Sequence, residues 1–381
     1  MIEAASQRAA ATILHERGFT VIRIQAKGEG LALLSIFGGI GIGALSQFTR
    51  QLATMITSGL PLTDSLVVLQ KQTENEKLRK VVSQITEDIQ GGGSFSSALA
   101  KHEAVFSLAY ISVVRAGEAS GTLDKVLLKL ADTLERDREF EGKIKGAMVY
   151  PIIIVSAMLL VGAIILIFVI PKLSEVYKGL NLTLPLPTLI LIAISDFLVH
   201  FWWLVIILGF GGFVALRRYR KTPEGALAID RFLLKIPVMG KLNRDSSLTT
   251  LTRTLGSLVG AGVPILEALK IAGETATNAT HRQAVSKAAS TVEKGGTLSK
   301  ALGADDSFPP IIPQMVSVGE ETGKMDEVLD KVSHFFEQEV EQEVRTLTTA
   351  LEPIIMVVLG IMVALLMISI ILPIYSITQA F

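Results

Sequence analysis

Two near-copies of one short segment carry the residues best placed to do chemistry. Gly117-Glu118-Ala119-Ser120-Gly121, with Asp124 three residues on, recurs as Gly319-Glu320-Glu321-Thr322-Gly323, with Asp326 three residues on. An acid held between two glycines can meet a cation or a partner. It can equally lock a turn or cap a helix by accepting backbone hydrogen bonds. Glycines 117, 121, 319 and 323 suit a tight connection between helices, and Asp124 and Asp326 fall where a first helical turn favours negative charge. The spacing favours the structural role.

Catalytic alternatives find little support. The chain has no cysteine, which excludes disulfides, thiolate metal sites and cysteine nucleophiles. His15, His102, His200, His281 and His334 are scattered, with no HExxH or other zinc-ligand pair, so no metal, cofactor or enzymatic activity is expected. Gly39-Ile40-Gly41-Ile42-Gly43 lacks the G-x-G-x-x-G spacing, a preceding strand and a following Lys-Ser/Thr, so it is no phosphate loop. Asp196 could serve as an intramembrane relay. It reads better as an interfacial residue, because the neighbouring apolar runs offer it no ionisable partner.

The elements that must position these residues are helices and membrane spans. Of 381 residues, half are hydrophobic, and mean hydropathy is +0.50. Lys plus Arg and Asp plus Glu both number 36, so no net charge attracts nucleic acid. Residues 148–170 carry no charge over 23 positions, and 354–372 none over 19; about 20 apolar residues cross a bilayer as a helix. A third span is placed at 197–216, with Leu186–Ser195 at the outer interface beside Trp202 and Trp203. Leu31–Leu45 is apolar but short and glycine-rich, and reads as a linker or an interface-lying segment. The polar N-terminus shows no signal peptide.

Basic residues orient the spans. Lys129, Arg136, Arg138, Lys143 and Lys145 precede the first span; Arg217, Arg218, Arg220, Lys221, Arg231 and Lys235 follow the second; between them stand only Lys172 and Lys178. Positive-inside logic places both polar regions and the N-terminus in the cytoplasm, and the loop outside.

Self-comparison then divides the chain. Residues 48–66 align with 251–269 at a shift of 203, and 117–127 with 319–329 at a shift of 202, which persists to Pro151/Pro353 and Pro171/Pro373. These four prolines read as span boundaries. Gly59 and Pro61, like Gly262 and Pro264, end one helix and start the next. Leu123, Val126, Leu127, Leu130 and Leu134 form an apolar stripe at helical spacing, repeated by Met325, Val328, Leu329, Val332 and Phe336. The organisation expected is a partial N-terminal segment and linker (1–45), a first helical repeat (46–147), span 1 (148–170), an external loop (171–196), span 2 (197–216), a second repeat (217–352), span 3 (353–375) and a short external tail (376–381). Each repeat is long enough to bury its own core. The class is all-α, apart from a possible strand at Thr20–Gln25.

These segments, with GG-S/T-x-S-x-AL at 92–99 and 295–302, KGAMVYPIIIV and VIPKLSEVYKGLNLTLPLPT, resemble the type II secretion system F family over roughly residues 46–378. That family comprises inner-membrane platform proteins of type II secretion and type IV pilus assembly. The resemblance implies an all-α membrane protein with two homologous cytoplasmic helical bundles of about six helices each and three transmembrane helices. It also implies a bacterial inner-membrane location, self-association, and contact with a cytoplasmic hexameric ATPase, other inner-membrane assembly proteins and pilin or pseudopilin subunits. The platform would help lift those subunits from the bilayer and so support protein secretion. Family members begin with a strand before a segment like residues 2–24, so the start here reads as truncated. A transporter or channel is the alternative from composition alone; spans free of ionisable residues argue against a substrate path. A prepilin peptidase would need an acid pair or an activated nucleophile, and neither is found.

Overall fold

Glycine and cap residues punctuate the chain where the sequence places them. The computed structural model describes residues 39–172, 186–220, 239–276 and 278–379, and a few positions from 222 to 230. The first repeat contains six helices: α1 (Ile42–Thr57), α2 (Leu62–Gln72), α3 (Glu76–Gln90), α4 (Phe95–Ala100), α5 (Leu108–Ser120) and α6 (Leu123–Ile164). A further helix, α7 (Leu186–Arg220), precedes six in the second repeat: α8 (Met239–Gly260), α9 (Ile265–Thr275), α10 (Ala279–Glu293), α11 (Leu298–Gly303), α12 (Ile311–Thr322) and α13 (Met325–Gln379). No strand occurs among the described residues. The expected strand at 20–25 and residues 31–38 lie outside them. The remainder of the expected 31–45 linker is corrected in part, because α1 already begins at Ile42.

Local chemistry explains the boundaries. The Asn75 side chain accepts hydrogen bonds from the amides of Lys77 and Leu78, both at 3.0 Å, satisfying donors a helix start leaves free. Ser94, Ser107 and Asn278 cap α4, α5 and α10 in the same way. Gly59 and Gly262 adopt φ of 87° and 85°, and the next amides, of Leu60 and Val263, donate back to Met55 and Leu258, closing α1 and α8. Pro61 and Pro264 stand as the N-caps of α2 and α9, one place before the first turn expected from the sequence.

The two repeats do not keep separate cores, as their lengths suggested. Leu52, Leu66 and Leu127 of the first belong to one continuous apolar cluster with Leu255, Leu269 and Leu329 of the second. The cluster is continuous because α6 lies along α13 while α8 and α9 reach α5. Within each repeat the first helix packs on the last: α1 on α6, α8 on α13.

The last helix of each repeat runs on as a membrane span. From Leu123 to Lys172 the chain is helical for 50 residues, and Met325–Ala364 forms a second helix apolar and long enough to cross a bilayer. Their outer segments expose Ile153 (61%) and Val357 (61%), as lipid-facing helices do. Pro151 and Pro171 lie inside the first continuous helix, Pro353 and Pro373 inside α13. Proline removes one backbone bond, which neighbouring helices can compensate. A single π-turn spans Ile165–Val169, and the buried Ser195 hydroxyl of α7 donates to its Leu166 carbonyl. Helix α7 extends N-terminal of the expected span as one element, with a break in helical geometry at Phe201 (φ −119°, ψ 22°).

Candidate functional site

The duplicated acids act on the fold itself. The Glu118 carboxylate accepts from the amides of Phe95 (2.7 Å) and Ser96 (3.1 Å) and from the Ser96 hydroxyl (2.6 Å). Glu320 repeats this with the amides of Leu298 (2.6 Å) and Ser299 (3.2 Å) and the Ser299 hydroxyl (2.5 Å). Each carboxylate thus caps a one-and-a-half-turn helix from 21 to 23 residues away, tying α4 to α5 and α11 to α12. Short helices leave most of their backbone donors unsatisfied, and an anion at the N-terminus meets both that need and the dipole.

Glycine is required on both sides of these acids. A Cβ on Gly117 would stand 2.9 Å from Val126, and one on Gly319 3.1 Å from Met325. Gly121 and Gly323 end α5 and α12 at φ 68° and 70°, a left-handed conformation that is unfavourable for branched residues. Gly121→Val and Gly323→Val are each expected to cost about 2 kcal/mol, while Asn at either position costs less. Thermal unfolding of the purified variants and their steady-state levels in membranes check this.

Asp124 and Asp326 both fall in first turns, but only Asp326 has an ion-pair partner among the described residues, Lys129 of the other repeat at 3.4 Å. It belongs to a polar seam that sequence reasoning missed. There Arg253 of α8, 6% exposed, binds Glu337 of α13 (2.7 Å) and Asp137 of α6, and lies over the Phe140 ring at 5.7 Å. Arg136 pairs with Asp330 at 2.8 Å, Lys143 with Glu341, and the Thr133 and Ser257 hydroxyls meet at 3.2 Å. Burial pushes the Asp137 carboxyl upward, and Arg253 opposes the shift. The available signal was the arginine shared by the aligned segments, Arg50 and Arg253. Arg50 pairs with Glu135 (2.5 Å) as Arg253 does with the equivalent Glu337.

One group of acids invites a cation. Asp245, Glu339 and Glu343 bring carboxylate oxygens within 4.8 Å of one another. The Lys241 ammonium already holds Glu343 at 2.9 Å and Glu339 at 3.0 Å, and Arg244 holds Asp245 at 2.8 Å. Burial raises the Glu343 carboxyl, with Lys241 opposing it. These geometries describe charge compensation within the second bundle.

His281 is buried in that bundle, bonded to the Ser247 hydroxyl at 2.9 Å and stacked on Phe308. Burial lowers its pKa to about 4. The folded chain therefore holds a neutral imidazole where the unfolded chain, with a pKa near 6.5, takes up a proton. Its stabilising contribution is complete above pH 6.5 and is lost as pH falls from 6.5 towards 4. The melting temperature should fall over that window, and His281→Gln should flatten the fall.

The long apolar helices carry little chemistry. Asp196 and His200 are exposed in α7, and the His200 ring donates to the Asp196 carbonyl at 3.0 Å. Gly360 has open space around it, so no described helix uses it for close approach; Gly162 instead faces Met362 across the two long helices.

Comparison with known proteins follows the same duplication. The family model described as type II secretion system (T2SS), protein F, matches residues 48–171 and again 251–373. The chain is 40% identical to the type IV pilus assembly protein PilC of Thermus thermophilus, over 99% of its length and 94% of that protein. It is 34% identical to PilC of Pseudomonas aeruginosa, over 95% of its length and 97% of that protein. It is 36% identical to the type II secretion system protein F of Xanthomonas campestris, over 100% of its length and 95% of that protein.

Proposed function

We propose that this chain, which belongs to the type II secretion system protein F family, is the inner-membrane assembly platform of a type IV pilus or a type II secretion machine. The observation that carries this reading is the double family match: each matched segment falls on one six-helix repeat whose last helix runs on as a helix long and apolar enough to cross a bilayer. A rigid helix running from a packed bundle into the bilayer can transmit displacement, since bundle and span share one backbone hydrogen-bond ladder. In this reading the chain performs no chemistry of its own.

The finer assignment follows the charge pattern and the family. Both bundles face the cytoplasm, α7 is the third span, and the N-terminus is cytoplasmic. A cytoplasmic hexameric ATPase works on the bundles, other inner-membrane assembly proteins flank them, several copies associate, and pilin or pseudopilin subunits are lifted from the bilayer above. A clean deletion, complemented by the intact gene and scored for surface pili and for proteins released into the medium, tests this. Loss of pili alone is the result for a pilus platform, and loss of release alone for a secretion platform. If neither changes while both systems are active, the reading fails.

A further inference from the structure

The seam between the repeats joins two different faces. Along it Lys129, Arg136 and Lys143 of α6 meet Asp326, Asp330 and Glu341 of α13 in the same order, so the helices run parallel. The first repeat inserts one face, and the second receives it on another. Because α6 and α13 are copies, each face exists twice, and one of each is left over. Heterologous contacts of this kind can be repeated by further copies.

Charge shows what the leftover faces fit. At the 202-residue shift, Lys129–Asp326 maps onto Lys331 and Asp124, and Lys143–Glu341 onto Arg345 and Glu139. Asp137–Arg253 maps onto Glu339 and, at the 203-residue shift of the first helices, onto Arg50. All three pairs keep their signs. Among the described residues Lys331, Arg345, Asp124 and Glu139 make no ion pair within the chain. Arg136–Asp330 becomes Gln338 and Leu128, while Thr133 becomes Phe335. Thr133 and Asp330 line one cleft of the seam, and their counterparts Phe335 and Leu128 are each 40% exposed. Two exposed apolar side chains thus stand where the seam has polar ones. Arg50 is already bound to Asp132 and Glu135, and Glu339 to Lys241, but these pairs are open to solvent, with the acids 53%, 42% and 39% exposed, and exchange partners readily. Parallel helices also keep both copies in one membrane orientation.

We propose that copies of this chain associate head-to-tail, the α13 face of Lys331, Phe335, Glu339 and Arg345 in one copy seating on the face of Arg50, Asp124, Leu128 and Glu139 in the next. This deepens the self-association in the proposed function and rests on that reading only for the presence of a second copy.

The cysteine-free chain allows a direct test. Two differently tagged full-length copies are co-expressed in membranes, one with Leu128→Cys and the other with Phe335→Cys, and treated with a short bismaleimide. The mixed pair should cross-link, and either cysteine paired with itself should not. Lys331→Glu in the Phe335→Cys copy should reduce the product several-fold, and Asp124→Lys in the other copy should restore it. Equal cross-linking of like pairs would overturn the head-to-tail arrangement. Tagged copies that co-purify without a mixed product would overturn this interface and leave self-association standing. Copies that do not co-purify would overturn both.

Discussion

Replacing Arg253 by Met should destabilise the chain by about 3–5 kcal/mol, the usual cost of removing one partner from a buried ion pair. Two acids lose their cation together: Glu337, 11% exposed at the side chain, and Asp137, whose carboxyl burial already pushes upward. They come from different repeats, so their repulsion acts across the seam. Arg253→Lys keeps the charge but not the fork that reaches both acids, and should fall between Met and the native residue. The aligned Arg50 supplies the control. Its partners are half-exposed, so Arg50→Met should cost under about 1 kcal/mol. Thermal and urea unfolding of the detergent-solubilised chain measure both. Equal losses at the two arginines would show that burial at the seam is not what distinguishes them.

Removing both duplicated caps should have the second-largest effect. Glu118→Ala strips two backbone amides and a hydroxyl of their acceptor, at a cost of about 2 kcal/mol; the more exposed Glu320→Ala should cost about 1. The sites share no partner, so the double variant should lose about 3 kcal/mol. Hydrogen exchange should quicken first at residues 95–100 and 298–303, the helices these carboxylates hold. Gln at either position retains one acceptor oxygen and should restore part of the loss. Unchanged exchange in those helices would remove the capping role.

Much of the architecture was legible beforehand, because it rests on local rules. The duplication shows in aligned residues. Apolar stripes such as Leu123 to Leu134 have helical spacing, and charge-free runs exceed the length a bilayer needs. Gly121 and Gly323 marked helix ends because only glycine enters the left-handed region without strain. A structural role for Glu118 and Glu320, as a cap or a turn lock, was also favoured, although not the helices they cap. Those lie more than twenty residues back, and no local pattern encodes that distance.

Three features needed the tertiary structure. Pro151 and Pro353 lie inside continuous helices, since neighbouring contacts decide whether a missing backbone bond bends a helix. Repeat length suggested two cores, but the structure merges them, because α5 and α6 present apolar surface to α8, α9 and α13. Arg253 and Arg50 stand in matching sequence contexts, and only the packing each finds across space buries one and leaves the other partly exposed. Sequence alone determined the duplication, the helices and the apolar lengths, since periodicity and run length are properties of neighbouring residues. Tertiary structure decided which face of each repeat is covered, because that depends on residues more than a hundred positions apart brought together by packing.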